Sequence, residues 1–202
     1  MGILTANLFV TLDGVYQAPG GPEEDRGGGF EFGGWQAAYF DDETGEAIGA
    51  GIDRMDALLL GRKTYDIFAG FWPHQKDHIG ETFNALPKFV VSQTLTRPEW
   101  EGTTALAEVS ELSEVKERFL DIHMFGSGHL IRSLLEADLL DRLNLFLYPL
   151  TFGSGKRLFA DGSGVPAAFR FVQPPKAFPK GAVLLSYERA GAPITGITIG
   201  QD

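Results

Sequence analysis

Asp56-Ala-Leu-Leu-Leu-Gly-Arg-Lys-Thr-Tyr65 carries an apolar run straight into a glycine, two cations and a hydroxyl. The apolar run reads as a buried strand. The residues after it suit an anion: Gly61 permits a tight turn, a helix start leaves backbone N–H groups free, and Arg62, Lys63 and Thr64 add a guanidinium, an ammonium and a hydroxyl. In an acidic chain such a local cationic cluster suggests a phosphate. An ordinary strand–helix turn with solvated Arg62 and Lys63 explains the same segment taken alone.

Two further segments carry compatible chemistry. Gly126-Ser127-Gly128 comes after a short apolar run, Ile122–Phe125, and opens a helix that begins with His129 and Leu130. It offers backbone N–H groups and a helix dipole to a pyrophosphate. A full dinucleotide fingerprint needs a third small residue and an acid after the next strand. Here Ile131 takes the small position, and Leu143–Leu150 ends without an acid. Val91-Ser92-Gln93-Thr94 ends another strand in hydroxyl and amide groups. Ligands of open α/β sheets gather at the carboxyl ends of strands, so the three segments together make the case for a nucleotide with more than one phosphate.

Other chemistries fit poorly. Phe152-Gly-Ser-Gly-Lys156-Arg157 fails as a P-loop, because Leu150 stands where the first glycine belongs and Arg157 where Ser or Thr belongs. It reads instead as a glycine-rich turn that brings a lysine near the sheet edge. His74 and His78 lack the intervening Glu of a zinc protease, so no metal is expected. No G-x-S-x-G elbow is present. For acid–base work the candidates are Asp13 at the end of the first strand and Asp41 or Asp42 on the first helix. Each also has a plain reading, as a turn residue or a solvated helix face.

The elements that must position these groups emerge from pattern. Strands are expected at Ile3–Leu12, Asp56–Leu60, Lys88–Ser92, Ile122–Phe125 and Leu143–Leu150, with a short one beginning near Leu106. Helices are expected at Trp35–Asp53, from Tyr65 to Trp72, at Ile79–Leu86, at Ser113–Phe119 opened by a Ser113 N-cap, and at His129–Glu136. Ala168–Gln173 and Ala182–Arg189 read as an antiparallel pair. Between the first strand and first helix, Gln17–Gly34 is glycine-rich yet holds Phe30 and Phe32, which favours a substrate-covering loop over a linker. The pattern is α/β: a central mixed, mostly parallel sheet flanked by helices, with antiparallel C-terminal strands. Residues 1–190 form a single domain, and 191–202 form a tail that is either frayed or an added edge strand.

Composition bounds the partners. The chain has 202 residues, enough for one domain with a real core. A formal net charge of −10 argues against nucleic acid or an anionic membrane as partner. No apolar run approaches the roughly 20 residues of a membrane span. Cysteine is absent, which removes thiolate chemistry and fits a cytoplasmic location.

In order, Thr11-Leu-Asp-Gly14, Leu60-Gly-Arg-Lys-Thr-Tyr65, Val90-Val-Ser92, Gly126-Ser-Gly128 and Phe152-Gly-Ser-Gly-Lys-Arg-Leu-Phe159 resemble the dihydrofolate reductase-like superfamily. The branch most similar is the C-terminal domain of the riboflavin-biosynthesis reductase, RibD, and the resemblance runs from about Ile3 to Glu188. It implies NADPH as hydride donor and a homodimer. It assigns Arg62, Thr64 and Ser92 to the adenosine 2′-phosphate end of the cofactor. It assigns Gly126, Ser127, Gly128, His129 and Leu130 to the pyrophosphate, and puts the nicotinamide near the first strand and the glycine-rich loop. Gly61, Lys63 and Gln93 complete the expected cofactor set.

The chain departs from that family in two places. A cytidine-type deaminase domain, whose zinc motif would need cysteines, is not expected within this sequence, which has none. Val15 stands where dedicated riboflavin reductases carry a basic residue after the glycine, so a substrate phosphate would need another cation. The expectation is a reductase acting on a pyrimidine- or pterin-like small molecule, such as 5-amino-6-(5-phosphoribosylamino)uracil or a dihydrofolate. Asp13 or Asp41 would orient or protonate that substrate, and Trp35 and Tyr39 would stack on it. The alternative is an NADP(H)-binding sensor or ligand-binding protein without turnover.

Overall fold

The computed structural model of the chain describes residues 1–160, 162 and 164–200. Its strands are β1 (Ile3–Thr11), β2 (Ala57–Gly61), β3 (Lys88–Val91), β4 (Thr103–Leu106), β5 (Asp121–Phe125), β6 (Arg142–Tyr148), β7 (Phe169–Phe171), β8 (Lys176–Ala177) and β9 (Val183–Arg189). Its α-helices are α1 (Asp42–Ile52), α2 (Arg62–Phe71), α3 (His78–Ala85), α4 (Leu112–Arg118) and α5 (Gly128–Glu136). The strands form one nine-stranded sheet in the order β4-β3-β2-β5-β1-β6-β9-β7, with β8 also on β9. From β4 to β6 every pairing is parallel; β9 runs antiparallel to β6, and β7 and β8 antiparallel to β9. The expected mixed sheet with antiparallel C-terminal strands is what the chain forms.

β2 shows why the apolar runs become central strands. All five residues of Ala57–Gly61 are buried, and their side chains alternate between two layers. Ala57 and Leu59 pack with Leu112, Val115, Leu130, Ile131 and Leu134 of α4 and α5. Leu58 and Leu60 pack with Ile52, Tyr65, Phe83 and Trp100 on the opposite face. Each fully buried leucine contributes about 1.5–3 kcal/mol. A third cluster joins the β6–β9 end to Val15, Ala18, Phe30 and Trp35 of the glycine-rich segment. That segment is a packed part of the fold at both flanks.

Several boundaries differ from the sequence expectation. The first helix begins at Asp42 rather than near Trp35. Gly34 has φ 79°, a 3-10 turn spans Ala37–Tyr39, and the Asp41 carboxylate caps α1 by accepting from the Thr44 amide at 2.8 Å. Ser113 lies inside α4 and caps nothing. A 3-10 turn at Val109–Glu111 precedes that helix with a Glu108/Glu111 capping box, which a Ser-based reading overlooks. Leu106 ends β4 instead of beginning it. From 191 to 200 no helix or strand forms, and 201–202 lie outside the described residues. No helix among the described residues is long and apolar enough to cross a membrane.

Candidate functional site

The carboxyl ends of β1, β2, β3, β5 and β6 share one edge of the sheet, and the loops that leave them meet there. β2 and β5 approach closely: a Cβ built on Gly61 would lie 3.0 Å from Ser127 Cβ and 3.2 Å from its Oγ. A side chain at Gly61 would press on Ser127, so the two turns pack tightly against each other there. Gly126, at φ 63°, adopts a backbone that favours glycine, and the peptide joining it to Ser127 is cis. The N-caps of α2 and α5, Gly61 and Ser127, make no side-chain cap bond. Two helix N-termini thus face the same edge uncapped by their own residues.

Arg62 and Lys63 occupy the first turn of α2, where the helix dipole disfavours cations. Each finds an anion. Arg62 Nε donates to Asp66 at 2.9 Å, and its Nη1 donates to Thr94 Oγ1 at 3.2 Å. Ser92 Oγ accepts from the Leu95 and Thr94 amides at 3.2 and 3.3 Å, and Gln93 is exposed beside them. Arg62 and the Ser92–Thr94 turn form one polar cluster. Thr64 does not join it. Two helical residues on from Arg62, it points the other way, with its hydroxyl 3.8 Å from where a Gly126 Cβ would stand. Thr64, expected beside Arg62 and Ser92, faces the Gly126–Gly128 turn instead.

The glycine-rich segment closes over this edge. The ring of Tyr16 covers Gly128, whose Cβ would meet Tyr16 Cε1 at 2.3 Å, and the phenol oxygen faces the His129 amide. Burial raises the Tyr16 phenol, with Arg132 opposing it. Beside it Asp25 accepts from Lys63 Nζ and Lys156 Nζ, each at 2.5 Å, and from the Gly27 amide at 2.9 Å. Burial opposes ionisation of Asp25, yet Lys156, Lys63 and the amide outweigh it and bring the carboxyl down to about 2. Asp25 in turn holds the Lys63 ammonium above its ordinary range. Burial pushes Lys156 down, with Asp25 opposing and Lys63 adding to it. Gln17, buried, braces the loop from inside: its amide donates to the Asp25 and Gly27 carbonyls at 3.0 and 2.8 Å and accepts from the Lys156 amide at 3.0 Å.

Next to this polar region stands an aromatic one, on the α1 side of β1 and β6. Trp35 is buried and donates its indole N–H to the Gln17 carbonyl at 2.8 Å. Its ring meets Tyr148 edge-on at 5.3 Å, and Tyr39 meets the same Tyr148 at 6.5 Å. The structure thus brings Trp35 and Tyr39 together, but Trp35 is a core residue with its polar atom engaged. Tyr39, half-buried, is the better placed to touch a ligand. Gln36 donates to the Tyr148 hydroxyl at 3.0 Å and lines a recess of about 300 Å³ with Pro19, Gly20, Ala37 and Phe40. Phe32 stacks on Phe152 at 5.0 Å and is half-exposed.

Neither carboxylate expected to do acid–base work is free. Asp13 accepts from the Thr11 hydroxyl at 2.6 Å, the Gly153 amide at 2.8 Å and the Phe152 amide at 3.2 Å, with Arg157 at 3.4 Å. Burial would raise its pKa, but those donors outweigh it and hold it below the usual carboxylate range. Asp41 accepts from Thr44 and from the Lys180 amide at 3.0 Å. Burial would raise it too, and those bonds again prevail and lower it. Both are pins between loops, 139 residues apart in sequence for the Asp41–Lys180 bond, and a carboxylate held ionised by amides is a poor proton donor.

Sequence reading missed Tyr16, Asp25 and Tyr148, and reached Lys156 only as a lysine near the sheet edge. Glu23, Glu24 and Asp25 are consecutive acids, and nothing local marks the third as the one that turns inward. Among the described residues no group of three His, Asp or Glu gathers as metal ligands. His78 instead pairs with Asp53 at 2.6 Å.

A sequence model of the RibD C-terminal domain matches residues 3–176. The curated protein YyaP of Bacillus subtilis strain 168, itself uncharacterized, is 27% identical over 119 residues, covering 54% of this chain. The match spans 62% of that relative's length. Among solved structures, a Shewanella sp. PV-4 protein named for riboflavin biosynthesis superposes with TM-score 0.69 at 19% identity, over 93% of this chain and 99% of its own. Dihydrofolate reductase from Enterococcus faecalis, complexed with NADP(H), superposes with TM-score 0.57 at 18% identity, over 93% and 96%. Both likenesses are of fold. With the sheet order, the strand-end turns and the family match in agreement, the chain belongs to the RibD C-terminal domain family.

Proposed function

We propose that the protein is an NADPH-dependent reductase acting on a pyrimidine- or pterin-like heterocycle. The single observation that carries this is the pair of helix N-termini at adjacent strand ends whose own N-cap residues, Gly61 and Ser127, make no side-chain cap bond, with Arg62 and Lys63 in the first turn of one of them. That arrangement is unfavourable for the isolated helix and favourable for a polyphosphate. It fits a dinucleotide phosphate: the α5 turn Gly126–Gly128 with His129, Leu130 and Thr64 suits the pyrophosphate. Arg62 with Ser92, Gln93 and Thr94 suits a 2′-phosphate through the planar guanidinium fork. NADPH, when bound, supplies the hydride. The chain binds and orients it, and the Phe30–Tyr39 stretch with Tyr148 and Phe152 supplies a flat-ring surface that excludes water.

In this reading residues 1–190 act as a single reductase domain, 191–202 as a tail, and the protein works in the cytoplasm as a homodimer. Asp13 and Asp41 serve by fixing the loops that shape the site. The test is titration with NADPH and NADH by calorimetry, with wild type and Arg62→Ala. Arg62→Ala should weaken NADPH by about 1–3 kcal/mol, the scale of a charge-assisted contact, and leave NADH unchanged. Absence of NADPH binding, or NADH binding as tightly, overturns the proposal. Binding without oxidation of NADPH across pyrimidine, pterin and folate substrates would instead mark a nucleotide sensor.

A further inference from the structure

Two lysines from distant parts of the chain, Lys63 in the first turn of α2 and Lys156 after β6, converge on one carboxylate. Their Nζ atoms stand 3.6 and 3.5 Å from where a Gly27 Cβ would be. Two ammonium groups so close repel each other and need an anion between them. The anion present is Asp25, whose side chain is 9% exposed while those of Lys63 and Lys156 are 53% and 38% exposed. The carboxylate is thus enclosed and the cations that hold it are open to solvent. Next in the chain after Lys63 is Thr64, which faces Gly126, and Tyr16 beside the cluster stands over Gly128. The subsite therefore lies between the N-termini of α2 and α5.

We infer that Lys63 and Lys156 form an anion subsite for a phosphoryl group, and that Asp25 is its internal occupant in the ligand-free chain, displaced when that group enters. The inference rests on the nucleotide reading of this edge and adds to it Lys156 as a ligand-binding residue and Asp25 as a competitor. The loop is built to release Asp25 without losing its anchors. Val15, Ala18, Phe30 and Trp35 stay in the core. The tip between them carries Gly20, Gly21, Gly27, Gly28 and Gly29, with Gly28 and Gly29 at φ 71° and 77°. From below, the Gln17 side chain holds the Asp25 and Gly27 carbonyls, and the Gln36 amide donates to the Pro19 carbonyl at 3.1 Å at the start of the tip. A ligand that must displace an internal occupant binds with an affinity reduced by the fraction of chains in which the subsite is free. The same competition selects for phosphoryl groups, whose charge exceeds that of the carboxylate they replace.

The experiment is calorimetric titration of wild type, Asp25→Asn and Lys156→Met with inorganic pyrophosphate, and in parallel with NADPH. Thermal unfolding confirms that each variant is folded. Asp25→Asn is near-isosteric and keeps an acceptor for the Gly27 amide. The inference expects opposite signs: Asp25→Asn tightens pyrophosphate by roughly tenfold, and Lys156→Met weakens it by at least roughly tenfold. Equal or weaker binding to Asp25→Asn, or no binding to either protein, overturns it and leaves Asp25 as a structural latch. If NADPH fails to bind while pyrophosphate shows the expected signs, the subsite stands and the nucleotide proposal falls. If NADPH binds all three proteins alike, the nucleotide proposal stands and the subsite falls.

Discussion

The two ends of the parallel strands treat their lysines in opposite ways. At the amino ends, Lys88 is fully buried and donates to the carbonyls of Phe83, Asn84 and Leu86 at 2.9, 3.1 and 2.7 Å. Burial brings its ammonium down to about 8, against the pull of Glu101. Lys116, also buried, donates to the Leu139 carbonyl at 3.0 Å and to Asp141 at 2.5 Å. These partners are backbone groups at element ends, or an acid beside a strand start that also holds the Leu4 amide at 2.7 Å. At the carboxyl ends, Lys63 and Lys156 are part-exposed and share one side chain carried on a glycine-rich tip. A cation whose partners are fixed by the fold is a structural bolt. One whose partner is a loop carboxylate can exchange it for another anion.

The sharpest way to break this contrast is to remove each charge. Lys88→Met or Lys116→Met should cost about 2–4 kcal/mol of stability by urea unfolding, since each strands buried acceptors. Lys63→Met and Lys156→Met should each stay within about 1 kcal/mol, as exposed pairs do. If Lys156→Met costs as much as Lys88→Met, both ends are structural and the contrast is wrong.

Gly128→Ala tests how far the lid itself belongs to the fold. Its Cβ would meet Tyr16 Cε1 at 2.3 Å and Cζ at 2.7 Å, so the ring must leave the α5 N-terminus. The expected cost is about 1–3 kcal/mol, in the range of overpacking. Faster hydrogen exchange should appear at 14–30, with the later turns of α5 still protected. Uniform loss of protection would show that lid and core unfold together.

The smallest expected effect is a pH dependence. Asp25 drops from an ordinary 3.8 to about 2 in the folded chain, so its contribution is whole above pH 4 and is lost as pH falls through 2. After discounting for the exposed lysines it amounts to about 1 kcal/mol. Fluorescence of Trp35, in a background with Trp72 and Trp100 changed to Phe, should report the tip loosening over that window in wild type. Asp25→Asn should lack the transition. Identical curves for the two would mean that other carboxylates govern the lid.

The fold was more legible than the site. An apolar run such as Ala57–Leu60 announces a central strand because burial on both faces leaves little room for polar residues. The turns Gly61–Thr64 and Gly126–Gly128 were legible for a local reason too, since each is a contiguous strand–glycine–helix unit. The expected acids fared differently. Asp13 and Asp41 stand where an acid–base role was expected, but amides from across the chain have claimed them. Trp35 was legible as an aromatic near the site, but its packing under the loop made it core.

The sequence by itself determined which residues are brought to the carboxyl edge, because a strand's hydrophobic period and the glycine that ends it are properties of neighbouring residues. Only the tertiary structure decided how the charges there are balanced. Asp25 meets Lys63 across 38 positions and Lys156 across 131. Such pairings depend on which strands lie side by side and where a packed loop sets down its tip, and no spacing within a single segment encodes them.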